Sequence, residues 1–564
     1  MSKIPADSPT ATGSLMPGRE AFLRLLVSEG VTHLFGNPGT TELPIMHALA
    51  SVTGIRYVLG LQESIVVAMA DGYARASGEL VACNVHVAPG LGNAMGSLFT
   101  AAYSNTPMII TAGQQEQGHG LTEPLLAGPL LRMAEPVVKW AVEVTRLEDL
   151  PRIIRRAAKI ATTAPAGPVF ISLPGDILNT SAHLDLLSPT RLDTATQPTE
   201  PTLNRLARKL VAAKNPVVLA GPEIVTSNAF KEAADFASAL GAPVFQQTVP
   251  TGAHFPSEHP LYQGDLSRNQ AQVREALGEF DLLISLGADM LRMSVHSEVD
   301  PMPGGLSLMH IGLNDHEIGK NYPVAEAIRT DLLHTLPLLT ASLLKAGGAD
   351  WGVTIEQRIA RWRANNWSQK KLNLTESALA ARAEEPVDPN WLMHRIVATL
   401  PEQACVVEEG LVSTRTLLKH LPYRDRYSFF GNTSGGIGWG ISAAIGIALA
   451  QPKQRVIAII GDGSSMYSIQ ALWTAAHLKL PITYVIANNG GYRIIKERLR
   501  AFHGSEKYVA MDFEDPAIDF TALAGSLGMT ASRAENAVQF DQIIEQTSTK
   551  PGPYLIEVMV QKGP

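Results

Sequence analysis

VIAIIGDGSSMYSIQALWTAAHLKLPITYVIANNGG, residues 456–491, reads as strand, helix, strand. The strand VIAII ends in Gly461-Asp462-Gly463. A helix-like segment runs from Ser464 to Leu480, and the strand ITYVIA ends in Asn488-Asn489-Gly490. Unbroken apolar strands joined through a helix pair in parallel and are buried on both faces. Neighbouring carboxyl ends then bring Asp462 and Asn489, 27 positions apart, side by side where α/β sheets take their ligands. A carboxylate, a carboxamide and the main-chain carbonyl of Gly491 are hard oxygen donors of the kind Mg²⁺ takes. Gly461 and Gly463 admit close backbone approach, and the amides opening the next helix can meet a diphosphate. Gly-Asp-Gly alone would read as a plain strand-end turn. With Asn-Asn-Gly one helix and one strand later, it reads as a metal and diphosphate site.

Working outward, the same alternation recurs. Met108–Thr111, Val169–Leu173, Pro216–Ala220 and Leu282–Leu286 are strands of the same kind as Val456–Ile460 and Ile482–Ala487. The fold class is α/β, with three doubly wound parallel-sheet domains, since 564 residues exceed one core. The polar stretch Ser188–Thr202, with three prolines, separates residues 16–187 from 203–346. A polar helical linker, 347–390, leads to the last domain, 391–564. Hydrophobic residues make up 45% and charged residues 18%, and 46 Lys+Arg against 53 Asp+Glu leave −7, which suggests no nucleic-acid partner. Two cysteines, Cys83 and Cys405, form no metal cluster and suit a reducing, cytoplasmic setting. Met1–Gly18 is rich in Ser, Pro, Thr and Gly and reads as a frayed tail rather than a signal peptide. Ile437–Ala450, at 14 residues, is too short to span a bilayer and reads as a buried helix, so no membrane is expected.

The Asp462–Asn489 arrangement resembles the signature of thiamin-diphosphate enzymes. Other segments resemble the 2-keto acid decarboxylases of that family, benzoylformate decarboxylase most of all: FGNPGT (35–40) followed by Glu42-Leu43-Pro44, His86, GNAMG (92–96), TAGQQ (111–115), VKW (138–140), GGIG (435–438), and YSI (467–469) with ALWTAA (471–476). The likeness runs from about Ala21 to Glu557 and is weaker in the middle domain. It implies thiamin diphosphate and Mg²⁺ as cofactors, with Asp462, Asn489 and Gly491 at the metal and Gly463, Ser464, Tyr467 and Tyr492 at the cofactor. Glu63, which opens a helix after an apolar strand, would protonate the aminopyrimidine ring. By position alone it is also an ordinary helix N-terminal acid. His86 would relay protons, which a near-neutral imidazole suits. Thr40 stands where the family has a serine that bonds the substrate carboxylate, and its methyl narrows the pocket. Ile437 would wedge the cofactor into its V shape, with the Gly435 carbonyl on the aminopyrimidine. Leu125, Leu126, Ile494 and Ile495 fall on pocket positions.

Three departures stand out. The family's second histidine falls on Ser294 without a gap and on His296 with a two-residue shift, and His296 is favoured. Arg493, Lys496 and Arg498 make the segment after Tyr492 unusually basic. They could hold a second anionic group, but a helix turning two isoleucines inward and its charges outward is the preferred reading. Gly410-Leu411-Val412 lacks the family's hydroxyls, which Ser413 or Thr414 could replace. The resemblance thus implies nonoxidative decarboxylation of an aryl 2-keto acid through a thiamin-bound enamine, by a homodimer paired into a homotetramer. The alternatives are a decarboxylase or carboligase of another 2-keto acid, an acetolactate-synthase-like transferase, and a catalytically silent homologue. Asn204–Leu344 carries no clear flavin signature, which weighs against the transferase. Glu63, His86, Asp462 and Asn489 together weigh against the silent homologue.

Overall fold

Runs of Val, Ile, Leu and Ala too apolar to face water on either side build three six-stranded parallel sheets in the computed structural model, which describes residues 13–548 and 550–563. The chain divides into two compact units. One runs to Leu192 and takes in Ile445–Gln451, and the other comprises Asp193–Ala444 and the residues from Pro452 on. The break at Leu192 falls inside the proline-rich 188–202 stretch.

The sheet of the first unit runs Arg56–Leu59, His33–Gly36, Val81–Val85, Met108–Gln114, Val169–Pro174, Ala141–Glu143. Strand order reverses between His33–Gly36 and Val81–Val85, so a crevice opens at their carboxyl ends. At the end of helix Gly18–Ser28, Glu29 is buried and accepts from Arg155 Nη1 at 2.6 Å and Arg191 Nη1 at 2.5 Å, fixing the start of the interdomain segment.

The second unit holds two sheets of the same design. In the middle sheet the order reverses between Pro216–Ala220 and Leu282–Leu286. The crevice there is filled by Glu223. Its carboxylate accepts the N–H of Leu313 at 2.5 Å and of Asn314 at 3.0 Å, and a Cβ on Gly287 or Gly312 would collide with its side chain. In the carboxy-terminal sheet the reversal lies between Cys405–Glu409 and Val456–Gly461, beside Ile482–Asn488. The two sheets share one core, in which Tyr262 meets Tyr423 at 6.4 Å. Among the described residues His254, His310 and His420 are buried in this unit, and burial pushes His310 and His420 down to about 4. His420 Nε2 lies 3.0 Å from Asn390 Oδ1.

Three expectations need correction. Residues 1–12 of the expected tail lie outside the described residues, but Ser14–Pro17 is a strand paired antiparallel with Ser181–Leu184, and Gly18 opens a helix. The expected helix Ser464–Leu480 is broken into Asp462–Ser465 and Ala471–His477, because Ser465 Oγ and Ser468 Oγ donate to the carbonyls of Gly461 and Gly438. The 347–390 stretch is helical but docked: Trp351 and Trp367 are buried, and their indoles donate to the carbonyls of Ala239 and Leu418. No described helix is long and apolar enough to cross a membrane.

Candidate active site

Two of the three reversal points, in the first unit and in the carboxy-terminal sheet, carry residues singled out from the sequence. In the first unit, the chain leaving His33–Gly36 forms a 3₁₀ turn, Thr40–Glu42, and the chain leaving Val81–Val85 reaches His86 at the head of helix Val87–Tyr103. Thr40 is exposed on that turn. Sequence reasoning assigned no role to Glu42, yet it organises the site. Its buried carboxylate accepts from Gly39 N (3.1 Å), Gly113 N (3.0 Å) and Thr41 Oγ1 (2.7 Å), and it lies 2.7 Å from His86 Nδ1. A carboxylate on Nδ1 fixes the donor there and leaves Nε2 to exchange protons. Val87 is held at φ +47°, strained for a β-branched residue, as the chain turns from His86 into the helix. Gly39 must be glycine, since a Cβ would fall 2.1 Å from the imidazole.

Glu63 opens helix Glu63–Ser77, whose amides are capped by Gln62, and is buried. Its Oε2 accepts from Asn93 Nδ2 at 3.0 Å, and Gly90 leaves room for its other oxygen. Leu126 is partly buried at φ +72°, while Leu125 is 84% exposed.

In the second unit, Asp462 lies buried at the end of Val456–Gly461. Its carboxylate accepts from Gly463 N (2.8 Å), Asn489 N (3.2 Å) and Gly491 N (3.0 Å), which fastens the two strand ends together. The Gly491 carbonyl accepts from Arg493 N at 3.0 Å. Asn489 Nδ2 stands 3.5 Å from Ser413 Oγ, whereas Thr414 Oγ1 is committed to Glu408 at 2.5 Å, so Ser413 is the replacement hydroxyl nearer this pair. A Cβ on Gly463 would fall 2.7 Å from the Tyr492 ring. Burial lifts the Tyr492 phenol, to which Tyr467 hydrogen-bonds.

These residues fit Mg²⁺ and a diphosphate. Burial raises the Asp462 carboxyl, a load that a divalent cation would relieve, and Ser464 Oγ is buried without a protein partner. Among the described residues no cluster of three or more His, Cys, Asp or Glu could hold a metal by itself, which suits an ion shared with a ligand's phosphates.

The loop after Phe429–Gly431 carries Gly435, exposed at φ +81°, and the half-buried Ile437. Asn432 and Glu409 brace it, and neither was singled out from sequence. Burial pushes the Glu409 carboxyl up to about 7, against its main-chain bonds.

Other expected residues are more exposed. His296 is exposed and lies 3.2 Å from Glu298, and Ser294 is exposed too. Helix Arg493–His503 has its charged side anchored, contrary to expectation. Arg493 bonds Glu497 (3.0 Å) and the Gln561 carbonyl (2.8 Å), Lys496 pairs with Asp512, and Glu497 also holds Arg415. The ion pairs dock the helix, so Ile494 is only partly buried, Ile495 is 45% exposed and Arg498 is exposed.

The chain matches the family descriptions "Thiamine pyrophosphate enzyme, N-terminal TPP binding domain" over residues 16–125, "central domain" over 203–339 and "C-terminal TPP binding domain" over 412–558. It belongs to the thiamine pyrophosphate enzyme family. Its cofactors are therefore thiamin diphosphate and Mg²⁺. Among relatives, it is 32% identical to a benzoylformate decarboxylase of Pseudomonas aeruginosa, covering 96% of this chain and 98% of that one. It is 26% identical to the acetolactate synthase large subunit of Haemophilus influenzae, covering 91% and 89%. The structure of a thiamine diphosphate-dependent 4-hydroxybenzoylformate decarboxylase from Rhodococcus jostii superposes with a TM-score of 0.86 at 30% identity, covering 97% and 99%. For this thiamine pyrophosphate enzyme, the first-unit crevice lies in the matched N-terminal binding domain, and the Asp462 turn lies in the matched C-terminal one.

Proposed function

We propose that this enzyme is a carboxy-lyase that decarboxylates an aryl 2-keto acid to the aldehyde and CO₂. The observation that carries the reading is the Glu42–His86 pair, an oriented imidazole on the domain that also presents Glu63. Likeness to a benzoylformate decarboxylase across nearly the whole chain supports it. Bound thiamin diphosphate supplies the electron sink that lets a 2-keto acid lose CO₂. Asp462, Asn489 and the Gly491 carbonyl would hold Mg²⁺, and Ser413 and Ser464 would flank the diphosphate. Glu63 would hold the proton at the aminopyrimidine ring. His86 Nε2 would exchange protons with the reacting carbon, and Thr40 would donate to the substrate carboxylate.

The basic residues of helix Arg493–His503 support an uncharged substrate side chain. Arg493 and Lys496 are neutralised within the chain, so no unpaired buried cation there calls for a second anionic group. The acetolactate synthase relatives favour a second reading, a transferase that joins two 2-keto acids. Against it, Glu223 already occupies the amides of the middle-domain crevice. Measuring kcat/KM for benzoylformate beside pyruvate and 2-ketoglutarate decides between them. Benzoylformate is expected to be best, and a preference for pyruvate with acetolactate as product overturns the reading. Exposed Phe99, Tyr103, Leu121 and Leu125 support a homodimer as the minimal active unit, paired into a tetramer. An active monomer in sedimentation refutes that.

A further inference from the structure

The loop Asn432–Gly438 carries both Gly435 and Ile437, and without support it would be soft. Two of its glycines have positive φ, Gly435 at +81° and Gly438 at +97°. Its support comes from one buried carboxylate. Glu409 ends strand Cys405–Glu409 and pairs in register with Ile460, two residues before Asp462. It is 2% exposed. Oε1 accepts the N–H of Gly438 at 2.5 Å, and Oε2 accepts the N–H of Gly440 at 2.7 Å and Asn432 Nδ2 at 3.3 Å. Asn432 holds the other half of the loop. Its Oδ1 accepts from Ser434 N and Gly435 N, each at 3.1 Å, and its Nδ2 donates to the Gly436 carbonyl at 2.5 Å. Ser468 Oγ donates to the Gly438 carbonyl at 2.6 Å and ties the loop to the segment after Asp462.

Burying a carboxylate is costly, and an apolar residue at this strand end would serve packing alone. Glu409 is instead used by two main-chain N–H groups on either side of Trp439, immediately beyond Ile437. We propose that Glu409 and Asn432 are positioning residues that set the height and angle of Ile437 and the Gly435 carbonyl, and so the conformation in which thiamin diphosphate is activated. The proposal rests on the cofactor-site reading above.

The test uses the full-length holoenzyme. Glu409→Gln keeps the shape but turns an NH₂ toward a main-chain N–H, so one of the two amide bonds is lost. Three quantities are read: thiamin diphosphate affinity by fluorescence quenching, exchange of the bound cofactor's thiazolium C2 proton for deuterium, and its near-ultraviolet circular dichroism. Exchange in the saturated variant is expected to slow about tenfold to 100-fold, with an altered dichroic band and affinity changed far less. Unchanged exchange and dichroism at saturation overturn the proposal, even if affinity or stability falls. Should Glu409→Gln fail to fold, Asn432→Ala decides by the same readings, because it acts from the loop side and leaves the strand intact. A wild-type protein that binds no thiamin diphosphate would instead sink the cofactor-site reading itself.

Discussion

Glu63 and His86 close on the same glycine: a methyl group built on Gly90 would lie 3.1 Å from Glu63 Oε1 and 3.3 Å from His86 Cβ. The two side chains assigned to proton handling thus share one small gap at the head of helix Val87–Tyr103, and Asn93 of that helix holds the carboxyl from the other side.

Gly90→Ala separates function from stability. Alanine is the better helix former by about 1 kcal/mol, so thermal stability should hold or rise. Glu63 must shift by a few tenths of an ångström, and thiazolium proton exchange should fall about tenfold or more. Glu63→Gln should slow the same exchange by orders of magnitude with the fold intact. Wild-type exchange rates in both variants would remove Glu63 from cofactor activation.

Glu42→Gln should be harmful in two ways. An amide NH₂ would face the main-chain donors of Gly39 or Gly113 in a buried position, costing about 1–3 kcal/mol. With the NH₂ on the Gly39 side His86 would also lose the acceptor that fixes its tautomer, and kcat should then fall about 100-fold or more while cofactor affinity changes little. A fall in cofactor affinity with kcat preserved would make Glu42 structural only.

Removal of the metal should be complete and reversible in effect. Exhaustive chelation and dialysis should abolish activity, and neither thiamin diphosphate nor Mg²⁺ alone should restore it. Asp462→Asn should raise the Mg²⁺ concentration needed for half-activation about tenfold or more. Full activity after chelation contradicts the assignment.

His420 gives a pH signature. In the folded chain it is held near 4, below its ordinary 6.5, so between these values the unfolded chain binds the extra proton. Its contribution is fully present above about pH 6.5 and is lost as pH falls toward about 4, by up to roughly 1.4 kcal/mol per pH unit. Urea midpoints of wild type and His420→Gln should therefore converge on going from about pH 7.5 to about pH 5. A gap that does not change with pH would show that His420 does not titrate on unfolding.

The parts legible in the sequence were those written locally. Asp462 and Asn489 end consecutive parallel strands, so strand, helix, strand was enough to bring them together. Pro216–Ala220 and Leu282–Leu286 were readable to the residue because apolar runs flanked by polar turns leave little choice. Glu42 against His86, 44 residues away, depends on where the strand order reverses, which no local pattern encodes. Glu409 against Gly438 and Gly440 depends on the path of the loop that follows Phe429–Gly431, which no local pattern encodes either. The side on which helix Arg493–His503 docks was misread because amphipathic spacing shows that two faces exist, and distant partners, Arg415, Asp512 and Gln561, decide which one faces the chain.

Glu223 sets an order on how the middle sheet can change over evolutionary time. A carboxylate already sits on the amides of Leu313 and Asn314, where a phosphate-bearing molecule would have to land. Any lineage acquiring such a molecule must first vacate position 223 and leave two half-buried N–H groups without their acceptor before the newcomer can repay the loss. That intermediate is a valley, and it gives the domain a self-contained resistance to acquiring a second cofactor.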